Sequence, residues 1–202
     1  IDTDKTFTTS GCTGEASINS QTSSSITTAS GGSVELVSGT GLTLTVPTSF
    51  AASDANFQIK QLEKTAVINT TSSPTDYSRI GDHIYDLKAL TDVSTTLSSF
   101  NSALTVQIAY SAGDVSGIKE SSLRIYRWNG SSWQQLTGCT LGTPARTVSC
   151  PTSVFSVFAL FGQAESSTSS TTSSTQTPGC GDTAPGPKAP WLYGAISQGE
   201  NE

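Results

Sequence analysis

The sequence is short of several things that most functions need. Its 202 residues include no methionine, one histidine (His83), four cysteines and only ten lysines and arginines. Charged residues make up 13% of the chain and the formal net charge is −6. Scattered basic residues on an acidic chain exclude nucleic acid and anionic membrane as partners, because counterion release needs clustered Lys and Arg. No apolar run approaches the ~20 residues that a membrane-spanning helix requires. The longest, Val154 to Phe161, has the length of a strand. With one histidine and no closely spaced cysteine pair, no zinc-type ligand set stands out. There is no Gly-x-Ser-x-Gly, no phosphate-binding loop and no EF-hand, although a loop near Asp82 or Asp114 could take a calcium ion adventitiously. Nor does any stretch show helical periodicity. A chain that lacks methionine and opens at Ile1 reads as a mature processed chain or a fragment of a longer one.

What the chain has in abundance is hydroxyl. Ser and Thr together supply about a third of it, replacing the Lys/Glu surface usual in cytosolic proteins. Thr favours strands, while Ser and Gly favour turns. Period-two alternation runs through Ser33-Val34-Glu35-Leu36-Val37 and Leu42-Thr43-Leu44-Thr45-Val46-Pro47, bounded by Gly31-Gly32 and Gly39-Thr40-Gly41. Further strands are predicted at 56–62, 83–90, 104–110, 123–128, 133–136, 146–150 and 154–161. Asn129-Gly130 marks a hairpin between aromatic residues. The expected fold is therefore all-β: an Ig-like β-sandwich of about eight or nine antiparallel strands over residues 29–163.

Residues 1–28 read as an N-terminal extended segment with sparse apolar residues: Ile1, Phe7, Ile18 and Ile26. Residues 164–178 form a Ser/Thr-rich linker typical of O-glycosylated stalks. Its candidate acceptors are Ser166, Ser167, Thr168, Ser169, Ser170, Thr171, Thr172, Ser173, Ser174, Thr175 and Thr177. Asn69-Thr70-Thr71 and Asn129-Gly130-Ser131 fit the N-glycosylation pattern, which a chain this rich in Ser/Thr also produces by chance. Residues 179–202 end in Trp191-Leu192-Tyr193-Gly194-Ala195-Ile196, a strand-like stretch after a Pro-rich approach.

Four cysteines in such a composition suit an oxidising compartment and a secreted or cell-surface location. Of the three possible pairings, Cys139–Cys150 with Cys12–Cys180 is favoured. The first pair brackets a turn at Gly142-Thr143-Pro144-Ala145, so it falls on adjacent strands of one hairpin.

Taken in order, Gly32 to Leu36, Leu42 to Pro47, Ile84-Tyr85-Asp86-Leu87, Leu104 to Tyr110, Ser122 to Trp128, Trp133 to Leu136 and Phe155 to Leu160 resemble the strands of ZU5-like β-sandwich modules. The resemblance covers about two-thirds of the chain. It implies the fold. Some members of that family cleave themselves at a His-Phe-Ser motif, and here Val154 precedes Phe155-Ser156. Valine offers no base to activate the Ser156 hydroxyl, so the resemblance implies the fold without the reaction. The approach to Trp191 resembles the opening of a fibronectin type III-like domain.

No residue pattern points to catalysis or to a cofactor. His83, between Asp82 and Asp86, reads as an imidazole at the start of a strand rather than a base serving a nucleophile. Tyr126, Trp128 and Trp133 read as cross-strand packing partners, with a sugar-stacking platform as the alternative. The expectation for function is a structural subunit of an extracellular fibre. A terminal segment (Ile1, Phe7, Ile18 and Ile26, or Trp191, Leu192, Tyr193 and Ile196) would add as a strand to the next copy's sheet. The partners would then be copies of the same chain, with covalent glycans. The alternative is a spacer or carbohydrate-binding module of a larger secreted protein.

Overall fold

A computed structural model describes residues 7–9, 12–14, 18–36, 41–68, 71–91 and 95–166. Two antiparallel sheets face each other across one core, giving an all-β sandwich. The elements are β1 (Phe7–Thr9), β2 (Cys12–Gly14), β3 (Ile18–Ile26), β4 (Gly32–Leu36), β5 (Leu42–Val46), β6 (Ala55–Leu62), α1 (Lys64–Ile68), β7 (Ser78–Leu90), β8 (Leu104–Ala109), β9 (Arg124–Trp128), β10 (Trp133–Gln135), β11 (Thr140–Gly142), β12 (Thr147–Thr152) and β13 (Val157–Gly162). A single turn of 3-10 helix spans Glu120–Ser122. One sheet has the order β10-β9-β13-β7-β6-β3 and the other β11-β12-β8-β5-β4, while among the described residues β1 and β2 pair with each other.

Each strand's burial follows from its place. In β5 and β8, Leu42, Leu44, Val46, Leu104, Val106 and Ile108 point inward and the residues between them are more exposed. This is the alternation expected of a sheet with one wet face. β13 differs, because all six of its residues are buried. It runs between β7 and β9, sending Phe158 and Leu160 into the inter-sheet core. Val157, Ala159 and Phe161 enter a second cluster on the sheet's outer face. A strand covered on both faces must be apolar throughout, which accounts for the longest hydrophobic run in the sequence. Each fully buried Leu or Phe contributes about 1.5–3 kcal/mol relative to exposure.

The nine predicted strands are present, and the sandwich has two more. β11 is a three-residue strand without an apolar pattern. β3 lies within the segment that composition assigned to the N-terminal extension. It forms an edge of the six-stranded sheet, pairing with β6 from Ile18↔Leu62 to Ile26↔Ala55. Ile26 is 5% exposed in the chain's own core. Between them Gln21, Ser23 and Ser25 are exposed while Thr22 and Ser24 are half-buried. Alternation is present in β3, but it is carried by hydroxyls. The turn from β3 to β4 bends at Gly31 (φ +63°), where a Cβ would stand 2.5 Å from the Val46 carbonyl oxygen. A residue other than glycine fits neither that dihedral nor that space.

Cys139 and Cys150 form the expected disulfide (S–S 1.99 Å, Cα–Cα 4.2 Å). The β11–β12 register, Thr140↔Ser149, sets the two cysteines directly opposite each other. Such a bond suits a non-reducing compartment. Among the described residues no helix is long and apolar enough to cross a membrane.

Candidate functional site

The sole histidine is in a bulge. β7 and β13 slip register between Ile84↔Ala159 and Arg79↔Phe161, leaving residues 80–83 opposite Leu160. Gly81 (φ +50°) makes the bend, and a Cβ there would lie 2.7 Å from Asp114 Oδ1. The backbone thereby brings the buried His83 beneath the 111–117 loop. His83 Nδ1 is 3.1 Å from Tyr85 Oη, and His83 Nε2 is 3.2 Å from Asp114 Oδ2. The same carboxylate oxygen accepts the Ser111 backbone N–H and the Ser111 hydroxyl, each at 2.7 Å. Burial works to raise the Asp114 carboxyl, but the hydrogen bonds from Ser111 and His83 outweigh it and hold the group below the ordinary carboxylate range. Burial, then the charges of Asp114 and Asp82, push the Tyr85 phenol up.

Serine, carboxylate and imidazole are therefore together, but in the wrong order for acyl transfer. The carboxylate stands between the hydroxyl and the imidazole, whereas a base must receive the proton of the nucleophile. Both imidazole nitrogens are occupied within the fold. Ser156 is engaged too, its hydroxyl donating to the Trp128 carbonyl oxygen. Among the described residues no group of three or more His, Cys, Asp or Glu is placed to hold a metal, around Asp82 and Asp114 included.

The aromatic residues of the β9–β10 hairpin share the outer face of the six-stranded sheet. Trp128 and Trp133 are cross-strand partners with ring centres 5.4 Å apart. Trp133 also meets the Phe161 ring edge-on at 5.3 Å, and Tyr126 meets Phe161 at 5.0 Å and Tyr77 at 5.6 Å. Packing is thus the main role of Trp133 and Tyr126, which are 7% and 6% exposed, while Trp128 and Tyr77 form a half-buried rim. Val67 of α1 packs into this cluster. Arg79 covers it, with its guanidinium carbon 5.6 Å from the centres of both the Trp133 and Phe161 rings. Sequence reading passed over Arg79, because a lone arginine beside a turn carries no motif.

At the other end of the same face, Ser25, Thr27, Asp54, Asn56, Gln58 and Leu90 line an open groove of about 540 Å³. Asp54 Oδ1 accepts the Thr28 N–H (2.7 Å) and hydroxyl (3.1 Å), and Asn56 Nδ2 donates to Ser25 Oγ (3.3 Å).

Of the glycosylation candidates, Asn129 is exposed at the hairpin turn, its Oδ1 accepting N–H groups of Ser131 and Ser132 at 2.9 and 2.8 Å. Ser166 is exposed. Asn69 and Ser167 to Thr177 lie outside the described residues, as do Ile1, Cys180, Trp191, Leu192, Tyr193 and Ile196. Phe7 pairs with Gly14, and Cys12 with Thr9, through the backbone. No protein-family model matches the chain, and no curated protein matches it in sequence.

Proposed function

We propose that the sandwich is a non-catalytic binding module of a secreted or surface-displayed protein. One observation carries this reading: β3 starts, and β13 ends, at the same end of the six-stranded sheet. Ile18 sits level with Leu62, β6 runs antiparallel to β7, and β13 finishes at Gly162 opposite Ser78. The described sheet is thus entered at Ile18 and left after Gly162 at one end, which supports a module whose opposite end carries the binding face. At the far end, among the described residues, lies the open polar groove lined by Ser25, Asp54 and Asn56. The disulfide, the hydroxyl-rich surface and the ZU5-like order of strand patterns support an extracellular setting. The test is a glycan and cell-wall binding screen of the intact chain. Retention that falls on substituting residues of the outer face supports the reading, and no retention by any matrix sinks it.

A second reading, head-to-tail assembly into an extracellular fibre by strand addition, draws support from β3. This nine-residue edge strand, Ile18–Ile26, carries no charge and no proline, the usual devices that blunt an open edge. Electron microscopy of native material separates the two, since regular filaments favour the fibre and dispersed particles the displayed module.

A further inference from the structure

The open groove at the far end of the six-stranded sheet is built on one row of the strand register. Ser25 of β3 stands opposite Asn56 of β6, and Asn56 stands opposite Leu90 of β7. Gln58 lies two residues further along β6, on the same face. The polar side chains are linked in order. Gln58 Nε2 donates to Asn56 Oδ1 at a long 3.5 Å, and Asn56 Nδ2 donates to Ser25 Oγ at 3.3 Å. On the rim, Asp54 Oδ1 accepts both the N–H and the hydroxyl of Thr28. These bonds orient each group and leave part of its capacity unused. Among the described residues Asp54 Oδ2 and Gln58 Oε1 accept from nothing, and the Ser25 hydroxyl donates to nothing. All of this is open to solvent. Ser25 and Asp54 are exposed, and Asn56, Gln58 and Leu90 are half-buried around a space of about 540 Å³. Small-ligand sites run to about 300–1,000 Å³.

The lining narrows the ligand. Among the described residues no lysine or arginine lines the groove, and Asp54 brings a negative charge to a chain of net charge −6. Such a site repels anions. Nor do three ligand-type side chains gather there for a metal ion among the described residues. A peptide strand is recognised through the unpaired backbone of a sheet edge, whereas β6 and β7, which supply most of the lining, are already paired on both sides. The complement is a neutral molecule whose groups both donate and accept, as sugar hydroxyls do. Half-buried Leu90 adds an apolar contact for the C–H face of a ring. We propose that this groove binds a neutral saccharide, with Asp54 Oδ2 and Gln58 Oε1 accepting its hydroxyls and Ser25 donating to one of its oxygens. The inference rests on the binding-module reading and gives that module's groove a ligand class. No aromatic ring lines the groove among the described residues. Affinity therefore rests on hydrogen bonds, with an expected Kd on the order of 1 mM.

The experiment titrates the intact chain with neutral gluco-, galacto-, manno- and xylo-oligosaccharides of matched length, and with oligogalacturonate as the charged counterpart. Binding is followed by calorimetry and by the side-chain amide signals of Asn56 and Gln58 in nitrogen–proton NMR spectra. At least one neutral probe is expected to bind saturably, to shift those two signals, and to bind equally at low and high salt. D54N keeps an oxygen for Thr28 but turns the second acceptor into a donor. It should weaken binding about tenfold, the scale of a hydrogen bond to a charged group. Q58L, which keeps the volume, should weaken it about threefold or more. Q134A, on the opposite edge strand β10, should leave it unchanged. Near-UV circular dichroism checks that the variants stay folded, and if Q58L does not, D54N and the amide shifts decide. Saturable binding of a neutral probe that neither groove variant weakens overturns this site and leaves a binding module that works elsewhere. Binding of oligogalacturonate alone overturns the ligand class. Failure of every probe overturns the saccharide site, and the binding-module reading falls with it only if the wider screen also retains nothing.

Discussion

His83 Nε2 and Asp114 Oδ2 lie 3.2 Å apart, joining the bulge of β7 to a loop 31 residues further along the chain. The contact closes the 111–117 loop over a buried imidazole, with Gly81 as the point of close approach. A carboxylate that accepts two hydrogen bonds from Ser111 and faces an imidazole is a stability element with a defined pH response.

Asp114 is held below the ordinary carboxylate range when folded, so its contribution is fully present above about pH 4 and disappears as pH falls through the depressed value. D114N should cost about 1–2 kcal/mol at pH 7, the scale of hydrogen bonds to a charged group. The gap from wild type should close in acid. Urea midpoints at pH 7, 5 and 3 check this, and a gap that is the same at every pH would show that the charge of Asp114 plays no part.

Reduction of Cys139–Cys150 should lower stability by about 2–3 kcal/mol, the chain-entropy value for a short closed loop. Denaturation of oxidised chain against the double serine variant measures it. The sandwich should stay folded, since the bond joins two strands already in register.

At Gly31, alanine combines a left-handed φ with a Cβ 2.5 Å from a backbone oxygen. The expected loss for G31A is about 1–3 kcal/mol, read as a fall in melting temperature. Gly130, whose Cβ would meet nothing within 4 Å, is the control for the dihedral alone.

Removing residues 1–28 should unfold the sandwich rather than merely prevent assembly, because it strips β3 from β6 and takes Ile26 from the core. I26A alone should cost about 2–4 kcal/mol. A folded, monomeric deletion variant by circular dichroism and sedimentation would contradict this.

The Phe155–Ser156 bond should stay intact. Val154 supplies no base, and the Ser156 hydroxyl is donated to the Trp128 carbonyl oxygen. An intact-mass spectrum after prolonged incubation checks it, with two fragments as the contrary result.

Legibility in the sequence depended on how each residue is used. β5 and β8 were readable because one face is apolar and one is wet, and β13 because both faces are buried. The Cys139–Cys150 hairpin was readable because its turn residues sit between the cysteines. β3 was not, since hydroxyls fill its inward positions and the register alone tells them from linker. The far-range partners escaped as well. Nothing local ties Asp114 to His83 or Arg79 to Trp133, because a bulge and a cross-sheet neighbour bring them together.

Among the described residues β13 is the last strand of the sandwich in sequence, yet it occupies an interior place in its sheet, between β7 and β9. Until it arrives, β7 and β9 have no neighbour between them and both hydrophobic clusters lack their middle. Local pairing cannot finish this fold early, and its contacts close over long sequence separations. As the chain emerges it must therefore wait, with apolar strands uncovered, until residue 162 is clear. Chains interrupted before Val157 should be the ones that aggregate.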